Sequence, residues 1–371
     1  MSRFHITTHV LAASHLREFS RGTISAANPP QLKLAVNQYA PRSNAGIPAQ
    51  SGDVTIIFCH ANGIQKELYE PFFDHLLVEY EKSGLRIRSI WALDAVHQGA
   101  SGVLNEEVLG DDPCWNDLCR DVLHMVNQRP QDFPPPIIGM GHSYGGHAIA
   151  RISFIHPSLF TSILLLDPII EDNSVFPTPH PSTRSAKRQD VWPSMAEAEK
   201  YVRSRPFYTV WDPRVLEIYL KVGFRPLPTL TYPNKTGVTL TTTKHQEVYT
   251  YIRHDKSFQN GAQLGRDEPG GTLRLMSLVT PPLMYLVGEK SDSWAPHLMK
   301  YKMQLTPGAT LEIVGKGYHL FPLELPAKSA ELAAPFLIKS IKRWGKEAEK
   351  DLATPRHKVL TVDFHERLSK L

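Results

Sequence analysis

The chain has 371 residues, 42% hydrophobic and 21% charged, and its 41 lysines and arginines against 37 acidic residues leave a formal net charge of +4. Such proportions describe an ordinary globular protein, large enough for one domain with an insertion or for two domains. The basic residues are spread rather than blocked, which gives nucleic-acid binding no support, and no run approaches the roughly 20 apolar residues of a membrane span. Three cysteines, Cys59, Cys114 and Cys119, are an odd number without metal spacing and suit a reducing compartment. Neither a metal nor a cofactor is expected, and the sequence assigns no oligomeric state.

The N-terminus carries Arg3, Arg17 and Arg21 but lacks the apolar core of a secretory signal, and it reads as strand rather than as a transit peptide. Residues 4–18 and 32–39 alternate as two early strands, separated by a Ser/Gly/Pro loop. Asp53 to Cys59 is an unbroken apolar run, the pattern of a strand buried on both faces. The next helix carries Leu68, Phe72, Leu76 and Tyr80 four apart. Ile87 to Leu93 predicts another strand, followed by Asp94 and a loop over 97–101. Asp112-Pro113 opens a helix with Trp115, Leu118, Val122 and Val126 on one face. Strands at 137–140 and 162–166 enclose a helix from about Ala148. Alternation of strands and helices predicts a mainly parallel sheet covered on both faces.

After Pro168 the rhythm breaks. Residues of about 171–270 are rich in proline and polar groups, with short helices such as Pro213 to Gly223, and are expected to form an inserted lid. The Pro-rich stretch 176–181 has linker character. The sheet pattern resumes with strands at 282–288 and 310–314 and ends in a helix over about 326–344. The expected organisation is thus a core over 1–170, a lid over 171–270, the rest of the core over 271–350 and a tail over 351–371.

Gly141-His142-Ser143-Tyr144-Gly145 lies between a strand and a helix, which describes a nucleophile elbow with Ser143 at its tip. A serine needs a base to take its proton and an acid to hold that base's tautomer. His319, in Gly317-Tyr318-His319, follows the last strand. In a parallel sheet its loop shares one edge with the loops carrying Ser143, Asp167 and Asp292. The residues alone leave the acid open between Asp167, after the strand that follows the elbow, and Asp292, after the penultimate strand. His142 and His147 flank the nucleophile and are expected to pack or to shape the pocket, and His357 and His365 lie too far along the tail to act as the base. For the oxyanion, the amide of Tyr144 and an amide of His60-Ala61-Asn62-Gly63, assigned to Asn62, are the candidates.

These motifs resemble the α/β-hydrolase superfamily over nearly the whole chain. Phe58-Cys59-His60-Ala61-Asn62-Gly63-Ile64-Gln65-Lys66-Glu67 and Gly-His-Ser-Tyr-Gly-Gly are similar to a fungal peroxisomal branch that includes yeast peroxisomal lipase, toxin-biosynthesis hydrolases and mycophenolic-acid acyl-CoA hydrolase. The resemblance implies a serine hydrolase acting on acyl esters or acyl-CoA thioesters, and within that branch the acid transfers to Asp167. Ala61 stands where the usual oxyanion loop has glycine. Ser369-Lys370-Leu371 at the end of the sequence reads as an address for the peroxisomal import receptor.

Arg184, Lys187, Arg188, Arg203 and Arg205 cluster in the lid segment, where a thioesterase needs cations for the CoA phosphates. A lipase or carboxylesterase is the alternative reading, and a haloperoxidase-like use of the same residues is a further one. From a different class comes a non-catalytic hydrolase-fold binding protein, whose signature is a missing member of the catalytic set.

Overall fold

The computed structural model describes residues 2–172, 180–253, 266–292 and 296–370. In chain order the first half gives β1 (Phe4–Ala12), β2 (Lys33–Pro41), β3 (Val54–Cys59), α1 (Glu70–Lys82), β4 (Ile87–Leu93), α2 (Gly99–Leu104), α3 (Trp115–Gln128), β5 (Ile137–His142), α4 (Tyr144–Ile155) and β6 (Ser162–Leu166). Between β6 and the next strand of the main sheet come α5 (Pro181–Lys187), β7 (Val191–Trp192), α6 (Met195–Ser204), α7 (Pro206–Thr209), α8 (Pro213–Val222), β8 (Phe224–Pro226), β9 (Val238–Leu240), α9 (Lys244–Tyr251) and α10 (Glu268–Leu275). The chain closes with β10 (Leu283–Gly288), α11 (Pro296–Leu305), β11 (Thr310–Val314), α12 (Phe321–Glu324), α13 (Pro326–Ala353) and α14 (Val362–Leu368).

Eight strands form the central sheet in the order β1-β2-β4-β3-β5-β6-β10-β11. β1 and β2 run antiparallel at one edge, and every pairing from β4 to β11 is parallel. All six residues of β3 and of β5 are buried, because helices cover both faces and no side is left for polar residues. Successive side chains feed opposite layers. Ile56 and Phe58 join one core with Phe72 and Leu76 of α1 and Leu337 of α13. Ile57 and Cys59 join the other with Leu118 of α3 and Ile149 of α4.

The described part of the segment between β6 and β10 adds no strand to this sheet. It builds its own antiparallel sheet, β7-β9-β8, over a small core of Trp192, Ala198 and Leu240. Residues 176–179 of the Pro-rich stretch lie outside the described residues, while Pro181 opens α5. Among the described residues no helix is long and apolar enough to cross a membrane.

Three local expectations are corrected. β1 stops at Ala12 rather than continuing to residue 18, because the chain there turns onto α3: Ser14 N–H donates to Asp121 Oδ1 at 2.9 Å and Arg17 pairs with the same carboxylate at 2.6 Å. The expected loop over 97–101 turns into α2 at Gly99. The helix expected over about 326–344 runs on to Ala353, past an internal proline at 335, and α14 follows it.

Candidate active site

The parallel register levels the strand ends. Cys59 pairs with Gly141, His142 with Leu166 and Gly288 with Val314, so the loops after β3, β5, β6, β10 and β11 emerge along one edge. Ser143 stands on that edge at φ 55°, ψ −114°, a left-handed conformation that costs a non-glycine residue roughly 1–3 kcal/mol. The glycines around it make the turn possible. A Cβ on Gly141 would lie 2.2 Å from the Gly145 carbonyl oxygen, and one on Gly145 would lie 2.1 Å from that of Cys59.

His319 Nε2 lies 2.9 Å from Ser143 Oγ, and its Nδ1 lies 2.9 Å from Asp167 Oδ2. The proton inventory has one solution for a neutral imidazole. Nδ1–H donates to the carboxylate, and Nε2 accepts the serine hydroxyl. Burial opposes a charged His319. The hydrogen bond and charge of Asp167, with Asp292 and Glu171 further off, outweigh it and raise the imidazole pKa above its ordinary value. Asp292 is exposed on the wall of the same cavity and acts on His319 through space, whereas Asp167 is buried and in contact. Asp167 itself has φ 42°, and its N–H donates to Leu286 O at 2.8 Å. That turn aims its carboxylate along the sheet edge.

The loop after β3 is held from three sides. His60 is fully buried, with Nδ1 2.7 Å from Ala61 O and Nε2 accepting Ala95 N–H at 3.0 Å. Ala61 N–H donates to Tyr69 Oη at 3.1 Å and Gly63 N–H to Gln98 Oε1 at 2.8 Å. Among the described residues, Asn62 N–H is then the amide of 61–63 left without a partner. Its side chain is clamped: Nδ2 donates to Glu247 O of α9 at 3.1 Å, and Oδ1 accepts from Gln98 at 2.6 Å. Tyr144 begins α4, so its N–H belongs to a first helical turn with no acceptor inside the helix, at the positive end of the dipole.

His142, expected to pack or to shape the pocket, has specific partners. Its Nε2 donates to His319 O at 2.8 Å, and its Nδ1 accepts Tyr69 Oη–H at 2.7 Å. Burial, reinforced by the nearby His319, pushes its pKa well below the ordinary value and keeps it neutral. Tyr69 precedes α1 and is fully buried against Phe58, so in the sequence it reads as one more core aromatic. His147 is buried beside Trp115, with Nε2 3.3 Å from Asn116 Oδ1.

Ser143, His319, Asn62 and Tyr144 all line a cavity of about 530 Å³. One wall is aromatic: Tyr208 stacks on Tyr219, and Trp211 meets Tyr219 edge-on. The five basic residues of the expected cluster divide. Arg184, Lys187, Arg188 and Arg205 line the cavity, but Arg188 is bound to the buried Glu247 and Arg205 lies 4.5 Å over the Tyr201 ring. Arg203 is outside the lining and pairs with Glu199 and Glu217 on the surface, which corrects its place in the expected cluster. Among the described residues no carboxylate pairs with Arg184 or Lys187.

Residues 56–332 match the model of the Alpha/beta hydrolase family, three quarters of the chain. The chain belongs to that family. This α/β-type hydrolase is 38% identical over 273 residues to a type I acyl-CoA thioesterase, mpaH, of Penicillium brevicompactum, a match spanning 68% of this chain and 61% of that protein. It is 32% identical over 327 residues to the mpaH of Penicillium roqueforti, spanning 77% and 74%. Its fold is similar to that of the peroxisomal alpha-beta-hydrolase Lpx1 of Saccharomyces cerevisiae, with a TM-score of 0.75, 18% identity and coverage of 100% of this chain and 96% of that one. The mostly parallel central sheet and its flanking helices agree with the fold class expected from the sequence.

Proposed function

We propose that this hydrolase cleaves acyl-CoA thioesters through an acyl-enzyme on Ser143. The observation that carries the reading is the continuous Ser143–His319–Asp167 hydrogen-bond chain opening on a cavity lined by Arg184 and Lys187, cations that no carboxylate pairs among the described residues. The thioesterase names of the Penicillium relatives support the substrate class.

In this reading Ser143 Oγ attacks the thioester carbonyl carbon while His319 Nε2 takes its proton. Asp167 holds Nδ1–H and balances the imidazolium. The carbonyl oxygen becomes an oxyanion that accepts the amides of Asn62 and Tyr144. Collapse breaks the C–S bond, and the thiolate takes the proton from His319. Water then attacks the acyl-enzyme with His319 as base, releasing the acid and restoring Ser143. The aromatic wall receives the acyl group, the cations hold the CoA phosphates, and segment 171–270 serves as a lid, with α9 tied to the oxyanion loop through Glu247 and Asn62 and α5 tied to α9 through Ser185 and Glu247.

A carboxylesterase or lipase is the second reading, favoured by the predominantly aromatic wall of the cavity. The deciding experiment measures thiol release from a panel of acyl-CoAs beside release from p-nitrophenyl esters of the same acids, for wild type and Ser143→Ala. Preference for CoA thioesters that vanishes in the variant is expected. Ester turnover alone makes the protein an esterase, and unaltered turnover by Ser143→Ala overturns the nucleophile.

We place the enzyme in the peroxisomal matrix, by import through Ser369-Lys370-Leu371. Ser369 and Lys370 follow α14 and are exposed, where a receptor has access, and Leu371 lies outside the described residues. An N-terminally tagged fluorescent fusion is expected in peroxisomes and, after deletion of Leu371, in the cytosol. A fusion that ignores the deletion argues against this route.

A further inference from the structure

Glu171 takes no part in the reaction above, yet it lines the same cavity. It lies four residues beyond Asp167 on the loop after β6 and is only 4% exposed. A carboxylate shut away from water ordinarily collects hydrogen bonds on both oxygens. Glu171 Oε2 is closed to solvent and, among the described residues, has no hydrogen-bond partner. The nearest cation, Lys302 of α11, stands 3.8 Å from that oxygen, beyond hydrogen-bond reach. Lys302 Nζ donates instead to Pro168 O at 3.3 Å. The ammonium thus balances the charge of Glu171 without satisfying its oxygen.

The loop is not free to swing away. Ile169 N–H donates to Ser143 O at 3.2 Å and Ile170 N–H to Pro168 O at 3.1 Å, which ties the backbone carrying Glu171 to the elbow. An acceptor left unmade in such a place costs roughly 1–3 kcal/mol, a cost that packing alone does not explain but a bound donor removes. Because Lys302 already supplies a positive charge, the complement is a neutral O–H or N–H group rather than a cation.

We propose that Glu171 is a substrate-recognition residue whose carboxylate, once rotation of the side chain turns the unfilled oxygen into the cavity, accepts a hydrogen bond from a neutral donor of the substrate, close to the scissile bond. The proposal rests on the acyl-transfer reading of the Ser143 centre and extends it. Two parts of an acyl-CoA carry such a donor: a hydroxyl on the acyl chain, or an amide N–H of the pantetheine arm.

The test measures binding to full-length Ser143→Ala protein, with and without Glu171→Ala. The probes are butyryl-CoA, β-hydroxybutyryl-CoA and the p-nitrophenyl ester of each acid. A hydroxyl donor predicts that both β-hydroxy probes bind at least about tenfold tighter than their butyryl partners, a margin abolished by Glu171→Ala. A pantetheine donor predicts that both CoA probes lose about tenfold in Glu171→Ala while both esters are unchanged. Equal losses for all four probes, or none, overturn the proposal and leave the hydrolase reading standing. So does failure of every probe to bind, and in that case turnover of the same probes by wild type decides whether the hydrolase reading fails with it. Glu171→Gln keeps the volume and one acceptor, and is expected to shrink the margin rather than abolish it. It also serves if Glu171→Ala unfolds, which a thermal melt reveals.

Discussion

The imidazole of His142 donates from Nε2 to the backbone carbonyl of His319, 2.8 Å away. Its other nitrogen accepts from Tyr69, whose hydroxyl oxygen accepts the Ala61 amide. The residue before the nucleophile therefore ties the loop of the base to the oxyanion loop. His142 is a positioning residue, since it neither contacts the Ser143 hydroxyl nor itself lines the cavity.

His142→Ala is expected to lower kcat by roughly ten- to a hundredfold with KM little changed, because misplacement by a fraction of an ångström affects the transition state more than ground-state binding. Tyr69→Phe, which keeps the ring and removes only the hydroxyl, is expected to cost less. Steady-state kinetics on both variants check this, and a defect confined to KM contradicts it.

Asp167→Asn is expected to cost about four orders of magnitude in kcat, because an amide fails to hold Nδ1–H and the imidazolium. Asp292→Asn, exposed and acting only through space, is expected to stay within about tenfold of wild type. Reversal of that order in parallel assays would move the acid to Asp292.

The pH profile follows from the raised pKa of His319. Catalysis needs the neutral imidazole, so kcat/KM is expected to fall as pH drops through a value above the ordinary histidine pKa of about 6.5. Asp292→Asn removes one of the charges that raise it and is expected to move this acid limb downward by a fraction of a pH unit. Stability runs the other way. A histidine pKa raised in the folded state contributes stability that is complete below about 6.5 and is lost as pH rises through the folded value. Melting curves on wild type and His319→Ala across that window measure the contribution.

Charge reversal at Arg184 and Lys187 is expected to raise KM for acyl-CoAs about tenfold and to leave p-nitrophenyl esters unaffected. Arg203→Glu, outside the cavity and already paired with two carboxylates, is the control. Equal effects on thioesters and esters would remove the cations from CoA recognition.

Two glycine substitutions should have opposite signs. Gly145→Ala drives a methyl into the Cys59 carbonyl and is expected to yield little folded protein. Gly345 lies inside α13 with nothing within 4 Å of an added Cβ, and Gly345→Ala is expected to stabilise by about 1 kcal/mol. Soluble yield and thermal unfolding report both.

The sequence by itself determined the architecture and the elbow, because both rest on local rules. Burial on both faces makes β3 a continuous apolar run, and a strand-to-helix turn this tight admits only glycine at Gly141 and Gly145. Position after the last strand was enough to single out His319 among 17 histidines. What the tertiary structure decided depends on direction and on partners far apart in the chain. Asp167 and Asp292 follow neighbouring strands, and only the left-handed turn at Asp167 brings one of them against His319. Arg188 and Arg203 look like free cations in a list of residues, but Glu247, Glu199 and Glu217 neutralise them. Glu171 carries no pattern of its own, and His142 stands at a variable position of the elbow motif. Their significance lies in an oxygen that packing leaves without a donor and in a carbonyl 177 residues away.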